Sequence, residues 1–188
     1  MKLNLGSGFH KPEGFTNVDK QENVECDVKL DLSKETWPWE NDSVDEVLFR
    51  HSLEEMGETR DELHHVFKEL FRVCKNEAKV TVVTPHPRHD EFVMNPDCRW
   101  PISPMYLSTF SLQVNLDQIA NGHHYTCHAI ALGVNFEIEG QQLLIDPVFQ
   151  EDIEKGVIPE EELRKMIQFS NNICQGFEII LSVKKDVK

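Results

Sequence analysis

The sequence predicts an α/β domain built on a mostly parallel sheet, and three observations predict it. A short apolar-containing run at residues 2–5 ends in Gly6-Ser7-Gly8, which reads as a strand entering a glycine turn. A capped amphipathic helix over residues 60–75 lies between two strand-like runs, 44–49 and 79–84. Strand, helix, strand in that order is a βαβ unit, which implies parallel pairing and a right-handed crossover.

The elements follow in chain order. A second short strand, residues 15–18, ends at Asp19, and only residues 9–14, with Pro12 and Gly14, separate it from the glycine turn. A full crossover takes at least about 10–12 residues, so the first crossover helix is expected to be absent or cut to about one turn. Residues 28–32 offer a third short strand or extended turn carrying Asp27 and Asp31, and Trp37-Pro38-Trp39 opens a turn-rich loop. In the helix, Thr59 and Glu62 form a T-x-x-E capping box, and Leu63, Val66, Phe67, Leu70, Phe71 and Cys74 share one face. In the turn Lys75-Asn76-Glu77-Ala78, Asn76 is expected to take the left-handed conformation. Residues 88–135 show weak periodicity and are rich in His, Pro and Asn, which suits a substrate-covering or lid insertion within a single 1–188 domain. Residues 136–145 and 177–183 read as strands, 159–169 as a helix, and Gly140 and Gly176 as turn residues.

Composition narrows the function. The chain of 188 residues has a hydrophobic fraction of 39% and a charged fraction of 28%, as a globular domain does. The net charge of −14 argues against nucleic acid as the main partner, because phosphate neutralisation needs a Lys/Arg footprint. Five scattered cysteines without a C-x-x-C pair suit a reducing compartment. With a strand-like segment from Lys2 and no long apolar run, a cytoplasmic protein without a membrane span is expected.

Three strand ends carry chemistry. Gly6 and Gly8 let backbone approach a ligand, and free N–H groups there suit an anionic group. Asp19 is placed to accept both hydroxyls of a ribose. Asp31 and Leu32 offer a carboxylate for an adenine amino group and an apolar wall beneath the ring. All three lie at carboxyl ends of neighbouring strands, where open α/β sheets bind ligands.

An ordered series of motifs carries a family resemblance. Leu3-Asn4-Leu5-Gly6-Ser7-Gly8 with Gly14-Phe15-Thr16-Asn17-Val18-Asp19 resembles the start of small class I S-adenosylmethionine-dependent methyltransferases. Asp31-Leu32, Trp37-Pro38-Trp39 and Asp42-Ser43-Val44-Asp45-Glu46-Val47 are similar to their "D-L … P-F-x-D-x-S-F-D-x-V" stretch. His51-Ser52-Leu53-Glu54-Glu55-Met56 resembles their "H-x-L-E-H" segment, with Glu55 in place of the second His. Glu69-Leu70-Phe71-Arg72-Val73-Cys74-Lys75 resembles their "E-x-x-R-V-L-K" helix end.

The resemblance covers about residues 2–85 well and implies a Rossmann-like sheet of seven strands in the order 3-2-1-4-5-7-6, the last antiparallel. It implies S-adenosyl-L-methionine as cofactor, with Leu5, Gly6, Ser7 and Gly8 at the methionine part, Asp19 at the ribose, and Asp31 with Leu32 at the adenine. Arg50 and His51 would lie near the sulfonium and the acceptor, a small molecule or a sugar- or lipid-linked compound. If the acceptor has a proton to lose, His51 is the first candidate for the catalytic base, followed by His86 and His89. Trp37, Trp39 and Trp100 are candidate walls for a water-poor pocket.

Two competing readings differ in class. A non-catalytic module that keeps the fold and binds the cofactor or a nucleotide is one. A metal-dependent hydrolase is the other, since His124 and His128 stand at i, i+4 in His123-His124-Tyr125-Thr126-Cys127-His128. No acidic third ligand is spaced convincingly, so no metal is expected. Oligomeric state and the acceptor's identity are not legible from these motifs.

Overall fold

A computed structural model describes residues 1–123 and 126–185. The strands are β1 (Lys2–Leu5), β2 (Thr16–Asp19), β3 (Val28–Lys29), β4 (Val44–Arg50), β5 (Cys74–Pro85), β6 (Phe136–Ile145) and β7 (Cys174–Val183). They form one seven-stranded sheet in the order β3-β2-β1-β4-β5-β7-β6. The pairs from β3 through β5 are parallel, and β7 runs antiparallel to both β5 and β6.

No helix stands between β1 and β2; a polar ladder holds the connection instead. Asn4, buried inside β1, donates to His10 O at 2.7 Å and to Asn17 Oδ1 at 2.9 Å. Asn17 in turn donates from its amide (2.7 Å) and side chain (3.0 Å) to Asp27 Oδ2. Those bonds hold the Asp27 carboxyl below its usual value. The expected third strand shrinks to Val28–Lys29, because Asp31 turns back on the chain that follows it.

Helix α1 (Arg60–Val73) packs on the sheet through Leu63, Val66, Phe67, Leu70 and Val73, all fully buried. Thr59 Oγ1 accepts from Glu62 N at 3.3 Å, as a capping box requires. The return bond differs: Glu62 Oε2 accepts from Glu58 N at 2.6 Å. Glu69 and Arg72 brace the tryptophan loop. Arg72 donates to Glu69 Oε2 (2.7 Å), Trp37 O (2.9 Å) and Trp39 O (2.8 Å), while Glu69 Oε2 accepts from Trp37 N at 2.7 Å. The Arg72 hydrogen bond holds the Glu69 carboxyl below its usual range.

Three details correct the sequence reading. Helix α1 ends at Val73, and Cys74 already belongs to β5, so the helix is two residues shorter than expected. Glu77, not Asn76, takes the positive φ of 63°. In that conformation its carboxylate meets Lys184 Nζ at 2.6 Å and Ser182 Oγ at 3.2 Å. Gly140 and Gly176 sit inside strands β6 and β7 rather than in turns. At Gly176 the reason is steric: a Cβ there would lie 2.4 Å from Thr84 O on the neighbouring strand. Gly176→Ala is therefore expected to cost about 1–3 kcal/mol through overpacking. Urea denaturation checks this, and a loss below about 0.5 kcal/mol would show that β5 and β7 separate without strain.

The middle segment is more regular than expected. It contains α2 (Asp90–Val93), α3 (Pro104–Ser108), α4 (Leu112–Ala120) and α5 (His128–Leu132). Ser103 and Ser111 cap α3 and α4 by accepting from Tyr106 N (3.2 Å) and Val114 N (3.3 Å). Two helices follow β6: the unanticipated α6 (Pro147–Glu154), and α7 (Glu160–Phe169), which matches the Pro-Glu-Glu-Glu start. Among the described residues no helix is long and apolar enough to cross a membrane.

Candidate active site

Gly6, Gly8, Asp19, Asp31, Leu32 and His51 line one cleft of about 330 Å³ at the carboxyl ends of β1, β2 and β4. Three consecutive sequence signals thus converge on one space. Leu5 and Ser7 are buried and do not line it. Arg50 lines a second, adjoining cleft instead.

Local backbone explains the glycines. Gly6 and Gly8 have φ of 67° and 50°, a region L side chains rarely adopt. A Cβ on Gly6 would also lie 2.5 Å from Ser52 Cβ, so β1 and the segment after β4 pack against each other there. The loop amides, however, are not offered to a ligand. Gly6 N and Ser7 N donate to Val18 O at 2.9 and 3.0 Å, and Gly8 N donates to Asp19 Oδ2 at 2.8 Å. The expectation of free N–H groups for an anion is corrected: the missing crossover helix leaves the turn to bind its own neighbour strand.

Asp19 is nearly buried, and each carboxylate oxygen accepts one backbone bond, from Gly8 N and from Gln21 N at 2.9 Å. A carboxylate has about four acceptor sites, so the side chain is locked in place with capacity to spare. Asp31 is fixed differently. Its Oδ1 accepts from Ser33 N (3.1 Å) and Ser33 Oγ (2.6 Å), while Oδ2 lies 3.8 Å from Lys20 Nζ. Burial pushes the Asp31 carboxyl up, but the Ser33 bonds and the Lys20 and Lys34 charges outweigh it and hold the value below normal. Asp31 Oδ2 is thus the oxygen open to a donor.

His51 directly follows β4 with a φ of 49°, a strained conformation for a non-glycine residue. Burial and the Arg50 charge depress its pKa, so the imidazole is neutral at neutral pH. It lines both clefts, as does Glu55. Its Nδ1 lies 3.9 Å from Glu54 Oε1, too far for a hydrogen bond.

Sequence reasoning missed the turn that follows. Leu53–Glu55 is a short 3-10 turn that buries Glu54. Its carboxyl is pushed up to about 7, mainly by burial and further by the Glu55 charge, against hydrogen bonding from its own and Ser52's amides. The Thr84 hydroxyl offsets part of this without closing a hydrogen bond of normal geometry on Oε2, which has no partner. The middle segment is sewn to the same turn: Arg99 N and Trp100 N donate to Glu54 O, and Trp100 Nε1 to Met56 O at 2.8 Å. Asp97 and Arg99 thereby reach the first cleft. The only signal was the length of the aperiodic segment.

Other candidates fall elsewhere. None of the three tryptophans lines either cleft; Trp37 is core, and its Nε1 donates to Leu32 O at 3.0 Å, holding that backbone from beneath. His89 is buried against Asp146 (3.0 Å) and caps α2, while His86 packs on Phe177, and neither lines either cleft. His124 lies outside the described residues. His128 stacks on Phe110 and bonds Thr109 Oγ1 at 2.7 Å. Among the described residues no three His, Cys, Asp or Glu side chains are placed to hold a metal.

Comparison with solved structures places this arrangement. A S-adenosylmethionine-dependent methyltransferase from Archaeoglobus fulgidus shares the fold at a TM-score of 0.61 and 17% identity, over 96% of this chain and 85% of that one. One from Methanosarcina mazei matches at 0.52 and 14%, over 97% and 92%. The [4+2]-cyclase SpnF also matches, at 0.51 and 14%, over 97% and 73%, so the fold by itself does not decide the chemistry. No family model and no curated protein matches the sequence. The likeness extends over nearly the whole chain and its seven-stranded sheet: the chain has the class I S-adenosylmethionine-dependent methyltransferase fold.

Proposed function

We propose that the first cleft binds S-adenosyl-L-methionine and that the chain is a methyltransferase acting on a small-molecule, sugar- or lipid-linked acceptor. The observation that carries this reading is the convergence of Gly8, Asp19, Asp31 and Leu32 on one cleft. The donor set fits the cofactor. Asp19 has acceptor capacity for two ribose hydroxyls, Asp31 Oδ2 is open to an exocyclic amine, and Leu32 with Leu30 and Met56 supplies apolar wall. A Cβ on Gly8 would meet nothing within 4 Å, so its backbone forms an open floor for close approach. When bound, the cofactor supplies an electrophilic methyl group on a sulfonium. His51, neutral and on the wall shared by the two clefts, can take a proton from an acceptor.

One observation favours a non-catalytic binding module: the internal use of all three loop amides. Methyl transfer from labelled cofactor into a cell extract separates the two, since only an enzyme incorporates label. Binding itself is tested by melting curves. S-adenosylhomocysteine at a hundredfold over its Kd is expected to add about 2.7 kcal/mol to stability, as any ligand of the native state does. Asp19→Ala is expected to weaken that binding by about 1–3 kcal/mol, the loss of charged hydrogen bonds. A flat melting curve in millimolar ligand contradicts the cleft assignment, and unchanged calorimetric affinity in the variant removes Asp19 from it.

A further inference from the structure

Beside the first cleft, and sharing His51 and Glu55 with it, lies a second of about 580 Å³ between the ends of β4, β5 and β7 and the turn at Leu53–Glu55. That volume suits a small organic ligand. Four carboxylates face it, Glu54, Glu55, Glu91 and Glu178, against one guanidinium, Arg50. Two of the four are partly satisfied: Glu55 accepts from Asn95 Nδ2 (2.9 Å) and Glu91 from Gln175 Nε2 (2.7 Å). Glu54 is not. The residue is 1% exposed and its Oε2 has no hydrogen-bond partner. A buried carboxylate oxygen left without a donor is costly and points to a ligand that supplies one.

We infer that the second cleft binds a protonated amine as the methyl acceptor, with the Glu54 carboxylate as its counterion and the first acceptor of its proton; this rests on the methyltransferase reading of the first cleft. The charge balance selects the ligand. A phosphate or carboxylate acceptor would meet four like charges, whereas an ammonium group supplies both the positive charge and the N–H donor that Glu54 Oε2 lacks. A bare metal ion fits less well, because among the described residues no three of these side chains converge at ligating distance.

The proton step follows from the same groups. An ammonium N–H bond breaks, its electron pair stays on nitrogen, and the proton forms an O–H bond on Glu54 Oε2. The neutral amine then has the lone pair that nucleophilic attack requires. Burial already favours the uncharged form of Glu54, and Glu55 reinforces it. The other charged and titratable groups around it are Arg50, His51, Glu91, Glu178, Asp97, Arg99 and Cys98. Cys98 is pushed up to about 11 by burial and the two neighbouring glutamates, so it stays a thiol and does not compete for the proton.

Titration calorimetry of the whole chain tests this with 2-phenylethylamine and 1,4-diaminobutane against 2-phenylethanol and 1,4-butanediol. Each amine is expected to bind at least tenfold tighter than its alcohol. Glu54→Gln is expected to lose at least tenfold in amine affinity while keeping its S-adenosylhomocysteine melting shift. Amines that bind no better than the alcohols overturn the inference, as does a Glu54→Gln protein that binds them unchanged. The wild-type comparison decides even if the variant is poorly behaved. Absence of a melting shift in wild-type protein would fall on the first cleft, so the two failures are told apart.

Discussion

Replacing Phe67 by alanine is expected to remove about 3–5 kcal/mol of stability, the usual cost of emptying a buried aromatic site. Phe67 is 1% exposed and stands where three parts of the chain meet. Its ring stacks on Phe110 with centroids 3.9 Å apart and meets Tyr106 and Phe136 edge-on at 6.4 and 6.1 Å. It thus joins α1 to the middle segment and to the start of β6. The variant should lose roughly 6–20 °C in melting temperature, given about 2–4 °C per kcal/mol for a chain of this size. Amide exchange around Phe110 and Asn115 should accelerate more than exchange in β1 and β4, because the middle segment loses its anchor. A urea-measured loss below 1 kcal/mol would mean that the segment is held by other contacts.

The second large effect concerns pH. The Glu54 carboxyl, pushed up to about 7 from the ordinary 4.5, holds a proton in the fold that the unfolded chain releases earlier. Between about pH 4.5 and 7 the native state binds more protons at this site, so its contribution falls as pH rises and levels off above 7. The whole effect is about 3 kcal/mol, at 1.36 kcal/mol for each pH unit. Glu54→Gln removes the ionisation and keeps the shape. The variant is expected to gain stability relative to the natural chain on going from pH 5 to pH 8, by about 2.5 kcal/mol, most of the whole effect. Denaturation of both proteins at the two pH values measures it, and a difference that does not change with pH would show that Glu54 ionises normally.

Much of this fold was legible because its signals are local. The β1 glycine turn needs residues that tolerate positive φ, and Gly6 and Gly8 stand there. The α1 face repeats with helical period, and Thr59 caps it, so both the helix and its start were readable. Asp19, Asp31 and Leu32 follow from topology: in an open parallel sheet the residue just past each strand faces the same crevice. The small helices α3 and α4 escaped for a physical reason. At five and nine residues they are too short to show a period, although Ser103 with Pro104, and Ser111, are ordinary helix starts. Glu54 escaped because its burial depends on Arg99 and Trp100, which bond to its carbonyl from about 45 positions away. The tryptophans, candidate walls by residue type alone, line neither cleft, and Trp37 instead serves Leu32 through one indole N–H. Nor does composition reveal that the loop amides are consumed by Val18 and Asp19, which follows from the short connection between β1 and β2.

The most direct measurement is a crystal structure of the chain grown with S-adenosylhomocysteine. The expected result is adenosine density in the cleft, with ribose oxygens at Asp19, the adenine amine at Asp31 Oδ2, and the sulfur turned toward His51. Density for the ligand elsewhere, or a cleft that stays empty at saturating concentration while Asp19 keeps its bonds to Gly8 and Gln21, would contradict it.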